Sequence, residues 1–379
     1  MKFNSTIDFI KTIYPNQNFI PLHEPRFIGN EKKYVNETID STFVSSVGKF
    51  VDLFEEKIKE YTGAKYAIAV VNGTAALHIG LKLAKVNTGD LVITQGLTFI
   101  ATCNAINYVG GEPVFIDVDK DRLGMSVFAL QNFLVNVELI NGQPFHKPTG
   151  KRIGACVPMH TFGFPVEIDR IVELCNQYNI PVVEDSAESL GTTYKGKHTG
   201  TFGLIGTYSF NGNKTITCGG GGIIVTNDDE LGVLAKHLTT QAKVPHKWEY
   251  VHDYIGYNYR CPNLNAALAC AQIESLENFI ENKRETSNKY KSFFKDSEIK
   301  YISEPAESRS NYWLNAILLP NKEERELFLQ QTNDNGVMTR PVWALMNRLE
   351  MFKDCIHDNL ENSIYIEERL VNIPSSVTQ

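Results

Sequence analysis

No apolar run in this 379-residue chain approaches the roughly 20 residues a membrane span needs, and its start, Met1-Lys2-Phe3-Asn4-Ser5, lacks the apolar core of a signal peptide. Both absences argue against membrane insertion and export, and a cytoplasmic location is the expectation. A long basic run is missing too. With a net charge of -7 the chain offers no footprint for nucleic acid, while a local cationic pocket for a small phosphate-bearing anion stays compatible with that balance. The 7 cysteines are odd in number, scattered and never at metal-ligand spacing, so they read as reduced thiols packed as small apolar groups, with no disulfide framework and no zinc site. Internal repeats and low-complexity tracts are absent as well.

What is there is a 42% apolar content, enough at this length to bury a large core in two domains or in one large domain with an appendage. Residues 1–30 carry Pro15, Pro21 and Pro25 without a sustained period and read as an irregular N-terminal arm. From Gly48, the residues Phe50, Phe54, Ile58 and Tyr61 recur at helical spacing, and Thr62-Gly63 closes an amphipathic cover helix. Strands and helices then alternate, with strands expected at 66–71, 91–94, 113–118, 153–160 and 181–185. That order predicts an α/β fold with a mostly parallel sheet. In such sheets ligands bind outside the carboxyl ends of the strands, so the Gly73-Thr74 turn, His160 and Asp185 are expected to converge there. Residues 240–261 are aromatic and irregular, and 262–291 read as one long helix linking two domains. Strand candidates at 300–303 and 312–319 and a helix at 323–331 read as a smaller α+β unit. The expected division is an arm (1–30), a large ligand-binding domain (31–250), and a linking helix with a small C-terminal domain (251–379).

One stretch stands out. Gly206-Thr207-Tyr208-Ser209-Phe210-Asn211-Gly212-Asn213-Lys214 is followed by Gly219 to Gly222 and then Ile223-Ile224-Val225-Thr226, which reads as strand, lysine-bearing loop, strand. A phosphate-binding P-loop would need glycine before the lysine and a helix after it, and this stretch has neither. The glycine run suits a place where something bulky lies against bare backbone. A lysine there is a candidate for Schiff-base chemistry; an ordinary surface lysine on a glycine-rich hairpin is the alternative.

A lysine Schiff base to pyridoxal phosphate requires an acid for the ring nitrogen, an anion cradle for the phosphate and a flat group against the ring. Asp185, at the end of a buried strand, can serve the ring nitrogen, or can simply cap the next turn. Gly73-Thr74-Ala75 opens a helix directly after a strand, so its free N–H groups suit a phosphate. Ser209, 5 residues before Lys214, adds a hydroxyl, and Phe99 can stack on the ring or belong to the core.

The segments Asn72-Gly73-Thr74-Ala75-Ala76-Leu77, Val183-Glu184-Asp185-Ser186-Ala187-Glu188, Ser209-Phe210-Asn211-Gly212-Asn213-Lys214 and Gly256-Tyr257-Asn258-Tyr259-Arg260 resemble the sugar-nucleotide aminotransferases of the DegT/DnrJ/EryC1/StrS family. The resemblance runs over nearly the whole chain and implies the aspartate-aminotransferase-type fold (fold type I), with pyridoxal 5'-phosphate as cofactor and pyridoxamine phosphate as the intermediate form. It also implies Lys214 as the Schiff-base lysine, Asp185 as the ring-nitrogen partner and Phe99 as the stacking aromatic. Thr74, Ala75 and Ser209, beside Gly73, would form the phosphate cradle. Asn258 would reach the cofactor phosphate of a neighbouring subunit, giving a homodimer with shared active sites. Glu188 stands where many members have Gln or His, and a carboxylate there would repel the cofactor's phenolic oxygen unless protonated.

The implied reaction is a two-stage amino transfer from an amino acid, L-glutamate by resemblance, to a keto sugar nucleotide, with Lys214 moving the proton. For the acceptor, segments such as 158–163, 246–249 and 310–315 resemble the legionaminic acid and bacillosamine branch, which aminates C4 of a UDP-linked 4-keto-6-deoxy-N-acetylhexosamine to UDP-4-amino-4,6-dideoxy-GlcNAc. A GDP-perosamine type of acceptor is the alternative. His160, Trp248 and Arg260 are the candidates for the nucleotide-sugar side. A sugar dehydratase of the same fold would carry histidine in place of Lys214, and an amino-acid aminotransferase would need a second arginine beside Arg340. A catalytically silent regulator on this scaffold is the reading from another class.

Overall fold

The strands Tyr66–Val70, Gly222–Thr226, Ile205–Ser209, Val183–Asp185, Lys151–Val157, Leu91–Gln95 and Glu112–Ile116 lie side by side in that order in the computed structural model, which describes residues 2–378. The two halves of this array meet between Val183–Asp185 and Lys151–Val157 through single parallel bridges, Cys156 to Val182 and Met159 to Asp185. Gly222–Thr226 alone runs against its neighbours, so the sheet is mostly parallel, as the alternating pattern predicts. Its strands are Val- and Ile-rich because helices cover both faces. The helix Gly73–Leu83 is buried along almost its whole length, and the amphipathic helix Lys49–Thr62 turns Phe50, Phe54 and Ile58 inward and ends at Gly63 with φ +74°.

The smaller unit is an antiparallel sheet of Lys300–Tyr301, Asn315–Leu318, Leu370–Ile373 and Arg340–Pro341, flanked by the helix Lys322–Asp334. Its core runs without a break into that of the large unit, since Leu318 and Ile373 share one buried cluster with Leu97, Val118 and Phe164. No helix among the described residues is long and apolar enough to cross a membrane.

Several expectations need correction. Residues 1–30 are not irregular throughout. Asn4–Ile13 is a helix whose Ile7, Ile10 and Ile13 are buried, with Phe3 edge-on to Phe328 at 5.0 Å and Phe9 stacked on Phe293 at 4.1 Å. The helical spacing of Phe3, Ile7 and Ile10 was present but short, and the prolines that follow obscured it. A second helix, Glu31–Asp40, and a hairpin of Val137–Ile140 with Gln143–His146 were not anticipated. The linking helix is two, Asn263–Glu274 and Leu276–Phe293, separated at Ser275. The side chain of Gln272 is held there by the Arg26 carbonyl and Glu31, so the first helix stays docked on the N-terminal segment while the second begins a new buried stripe at Leu276, Phe279 and Ile280.

Candidate active site

At the carboxyl ends of the parallel strands a cavity of about 360 Å³ opens between the two units. Its wall includes Gly73, Thr74, Phe99, Asp185, Glu188, Ser209 and Lys214, so seven of the residues singled out in the sequence meet in one place. Topology explains this: each follows or ends a strand of the parallel array, and parallel strands deliver their ends to one edge.

Asp185 closes Val183–Asp185 and is buried. One carboxylate oxygen accepts from the Thr102 hydroxyl at 2.6 Å and the other from the Ala187 N–H at 3.2 Å, which aims it from the strand end. Burial pushes its pKa up, against the opposing pull of those donors and of Lys214. At the start of Gly73–Leu83, Asn72 caps the helix by accepting from the Ala75 N–H at 2.8 Å. Ala75 is therefore engaged within its own helix and lies outside the cavity wall, contrary to the expectation. Gly73 packs directly on the strand end, where a Cβ would come within 2.8 Å of the Ser209 Cβ, and this approach puts Thr74 and Ser209 on the same wall.

Lys214 sits in the loop that returns from Ile205–Ser209 to Gly222–Thr226, as the pattern predicts. The loop is closed at its base by Phe210 N–H to Gly221 O at 2.9 Å and Cys218 N–H to Phe210 O at 3.1 Å. The lysine side chain is only 13% exposed, and its Nζ lies 3.5 Å from Glu188 Oε1. Glu188 is buried, and its other oxygen accepts from the Phe162 N–H at 2.8 Å. Burial outweighs the attraction of Lys214 and that hydrogen bond, so the carboxyl pKa is pushed up to about 7.

Other candidates stand elsewhere. His160 is fully buried: Val166 N–H donates to Nδ1 at 3.3 Å, which leaves Nε2 to donate to Glu184 at 3.0 Å. Glu184 also accepts from the N–H groups of Gly200, Phe202 and Gly203, so His160 belongs to a polar knot that ties the 198–203 turn to the sheet and does not face the cavity. Trp248 is 73% exposed, Asn258 is exposed, and Arg260 donates to the Thr240 carbonyl at 3.3 Å; none lines the cavity of its own chain. Conversely, Trp313 and Trp343 line the cavity and were not singled out as site residues. Both come from the small unit, and the resemblance of the 310–315 segment was the available signal for Trp313.

The residues present fit pyridoxal phosphate. A primary amine, a buried carboxylate, two hydroxyls beside a capped helix start, and an aromatic ring at the mouth face a cavity within the usual size range for a cofactor. A family model described as the DegT/DnrJ/EryC1/StrS aminotransferase family matches residues 25–378. The chain is 40% identical over 336 residues to the GDP-perosamine synthase of Escherichia coli O157:H7, covering 89% of this chain and 88% of that one. It is 34% identical over 361 residues to the GDP-perosamine synthase of Vibrio cholerae, with 94% of each chain covered. A solved DegT DnrJ EryC1 StrS aminotransferase from Brucella abortus superposes with a TM-score of 0.83 at 26% identity, over 91% of this chain and 90% of that one. The names of both relatives match the alternative acceptor type expected from the sequence, not the legionaminic acid and bacillosamine branch. The fold, the cavity and these matches together place the chain in the DegT/DnrJ/EryC1/StrS aminotransferase family, as a pyridoxal phosphate-dependent sugar aminotransferase.

Proposed function

We propose that this enzyme moves an amino group from L-glutamate to C4 of a 4-keto-6-deoxyhexose carried on a nucleoside diphosphate, with Lys214 as its catalytic residue. The observation that carries this reading is the meeting of Lys214, Asp185, Glu188, Thr74 and Ser209 in one cavity of about 360 Å³. Bound there, pyridoxal phosphate supplies the electron sink that makes the donor's Cα–H acidic. Asp185 keeps a proton on the ring nitrogen by its buried negative charge. The N–H groups at the start of Gly73–Leu83 and the hydroxyls of Thr74 and Ser209 hold the phosphate. Phe99, on the cavity wall with its ring centre 5.8 Å from that of Trp343, would stack on the cofactor ring. Lys214 Nζ would take the proton from the donor Cα and pass it to the cofactor within the first half-reaction, and in the second would carry a proton from the cofactor to C4 of the sugar.

Two acceptors stand within this class. The segments at 158–163, 246–249 and 310–315 favour a UDP-linked N-acetylhexosamine, with UDP-4-amino-4,6-dideoxy-GlcNAc as product, and the names of the relatives favour a GDP-linked sugar. The proposed assembly is a homodimer in which Asn258 of one subunit reaches the cofactor phosphate of the other, with Trp248 and Arg260 on the nucleotide side. Incubating the enzyme with UDP- and GDP-linked 4-keto-6-deoxy sugars and L-glutamate is expected to give one amino sugar preferentially. Lys214→Ala is expected to lower turnover by roughly a thousandfold or more. A Lys214→Ala protein with wild-type turnover, or a wild-type enzyme that aminates neither sugar, would overturn the reading.

A further inference from the structure

The lysine loop is gripped from outside its own unit. Asn311, on the segment leading into Asn315–Leu318, donates through Nδ2 to the carbonyls of Glu188 and Leu190, both at 2.9 Å, and lies 3.4 Å from the Thr215 hydroxyl. Its Oδ1 accepts from the Trp313 N–H at 2.9 Å. Trp313 is buried, donates from Nε1 to the Asn213 carbonyl at 2.6 Å, and presents its ring to the next residue, with Lys214 Nζ 4.2 Å from the ring centre. Between the two stands Tyr312 at φ +46°, a conformation that a bulky side chain rarely adopts. It is held there by a hydrogen bond from Glu304 N–H to its hydroxyl at 3.0 Å and by edge-on packing against Phe164 at 5.6 Å. A strained residue that neighbours hold in place, flanked by two side chains that both engage the lysine loop, points to a geometry kept for function.

We propose that Trp313 is a positioning residue for Lys214: its indole face receives the lysine ammonium whenever Nζ is free of covalent linkage, and holds it beside Glu188 until the proton is returned. This rests on the reading of Lys214 as the catalytic lysine. An ammonium at a largely buried site loses most of its hydration, and the negative face of an indole replaces part of that stabilisation without itself taking up a proton. Glu188 could serve alone only while ionised, and it shares its charge with the Phe162 N–H. The proton balance closes within each half-reaction: Nζ would take the donor's Cα proton, be held as the ammonium against Trp313 and pass that proton on to the bound cofactor before the keto acid leaves, and in the acceptor half-reaction would carry a proton the opposite way, to C4 of the sugar. The ionisable groups on which the Lys214 charge acts are Glu188, Asp185 and His23, and none of the three is the residue replaced.

The test compares wild-type, Trp313→Phe and Trp313→Leu holoenzymes by the visible absorbance of the bound cofactor and its rate of loss on mixing with L-glutamate across pH. All three proteins are expected to hold cofactor. Trp313→Phe, which keeps an aromatic face without the N–H, should react within roughly threefold of wild type. Trp313→Leu should react roughly tenfold more slowly, with the pH at half-maximal rate displaced downward because the ammonium has lost a stabilising partner. Wild-type rate and pH profile in Trp313→Leu would overturn the proposal. So would an equal loss in both variants, or loss of bound cofactor in either, since these mark a purely structural role. The Lys214→Ala control separates the levels: if that protein still turned over, the catalytic-lysine reading itself would fail, whatever Trp313 does.

Discussion

Glu188 is where desolvation and attraction pull hardest against each other. Its pKa in the folded chain, about 7, lies above the value of an unfolded glutamate, so the native state binds this proton more tightly than the unfolded state does. Stability from this group is fully present below the unfolded pKa of about 4.3 and is lost as pH rises through the folded value. Glu188→Gln keeps an oxygen for the Phe162 N–H and carries no charge at any pH. On cofactor-free protein it is expected to be more stable than wild type at pH 8, by at most about 4 kcal/mol, with the difference narrowing towards pH 5. Chemical denaturation at several pH values checks this, and a wild type equal to or more stable than the variant at pH 8 would contradict it. The raised pKa also bears on the departure noted in the sequence, because a carboxyl that protonates near neutrality need not repel a phenolic oxygen. Lys214, Asp185, Thr74 and Ser209 were legible because each stands at a strand end, and strand order alone sends strand ends to one edge. Trp313 was not, since it reaches the cavity across a unit boundary that local pattern does not encode. His160 was misread for a related reason: it too follows a strand, but its ring turns to Glu184, and only tertiary packing decides which way a buried ring faces.

The return strand Gly222–Thr226 shows what an element contributes that its residues do not. The sequence predicts that the run Gly219 to Gly222 leaves bare backbone for something bulky, such as the cofactor, to lie against. The close approach is at Gly222, where a Cβ would lie 2.4 Å from the Asn72 carbonyl oxygen and 2.8 Å from the Gly73 nitrogen, whereas at Gly220 nothing comes nearer than 3.7 Å. The obstacle at Gly222 is backbone, so a methyl group there must displace the turn that opens Gly73–Leu83 and, with it, the proposed phosphate cradle. Gly222→Ala is expected to weaken pyridoxal phosphate binding by roughly tenfold or more, with Gly220→Ala within roughly twofold of wild type. Cofactor titration followed by absorbance decides, and equal affinities for the two variants would refute the assignment. The alternation of β-branched runs with helical periods made the parallel array legible. The break at Ser275 was not, because helical spacing continues on both sides of it and the turn is set by what Gln272 and Leu276 pack against.

At the scale of the whole molecule, the two ends of the chain close on each other: Ser375 N–H donates to the Leu22 carbonyl at 2.7 Å, and Glu24 N–H to the Ser376 hydroxyl at 3.0 Å. Large apolar groups are left uncovered at several places, among them Phe27 and Ile28 next to this closure. Trp248, Tyr250 and Ile255 stand exposed on the irregular 240–261 segment, and Phe43 and Val47 on the stretch whose Ser45 carbonyl accepts from Asn263 N–H at 2.6 Å. Uncovered aromatics at that density suit an interface better than a solvated face. Asn258 lies on the same segment, outside the cavity of its own chain, which supports the proposed homodimer with shared sites. Sharing has a consequence that no single variant reveals. In a hybrid of a Lys214→Ala subunit with an Asn258→Asp subunit, one site carries both lesions and the other carries neither. Random reassociation of equal amounts makes half the dimers hybrid, each with one intact site, so two inactive proteins should recover about a quarter of wild-type activity when their subunits are exchanged. If each site were built from one chain, every site in the mixture would keep one lesion and activity would stay at the level of the parents. An Asn258→Asp enzyme as active as wild type would remove Asn258 from the phosphate site altogether. Subunit exchange in mild denaturant, followed by an assay of amino transfer, therefore distinguishes a shared site from a private one by the presence or absence of that quarter.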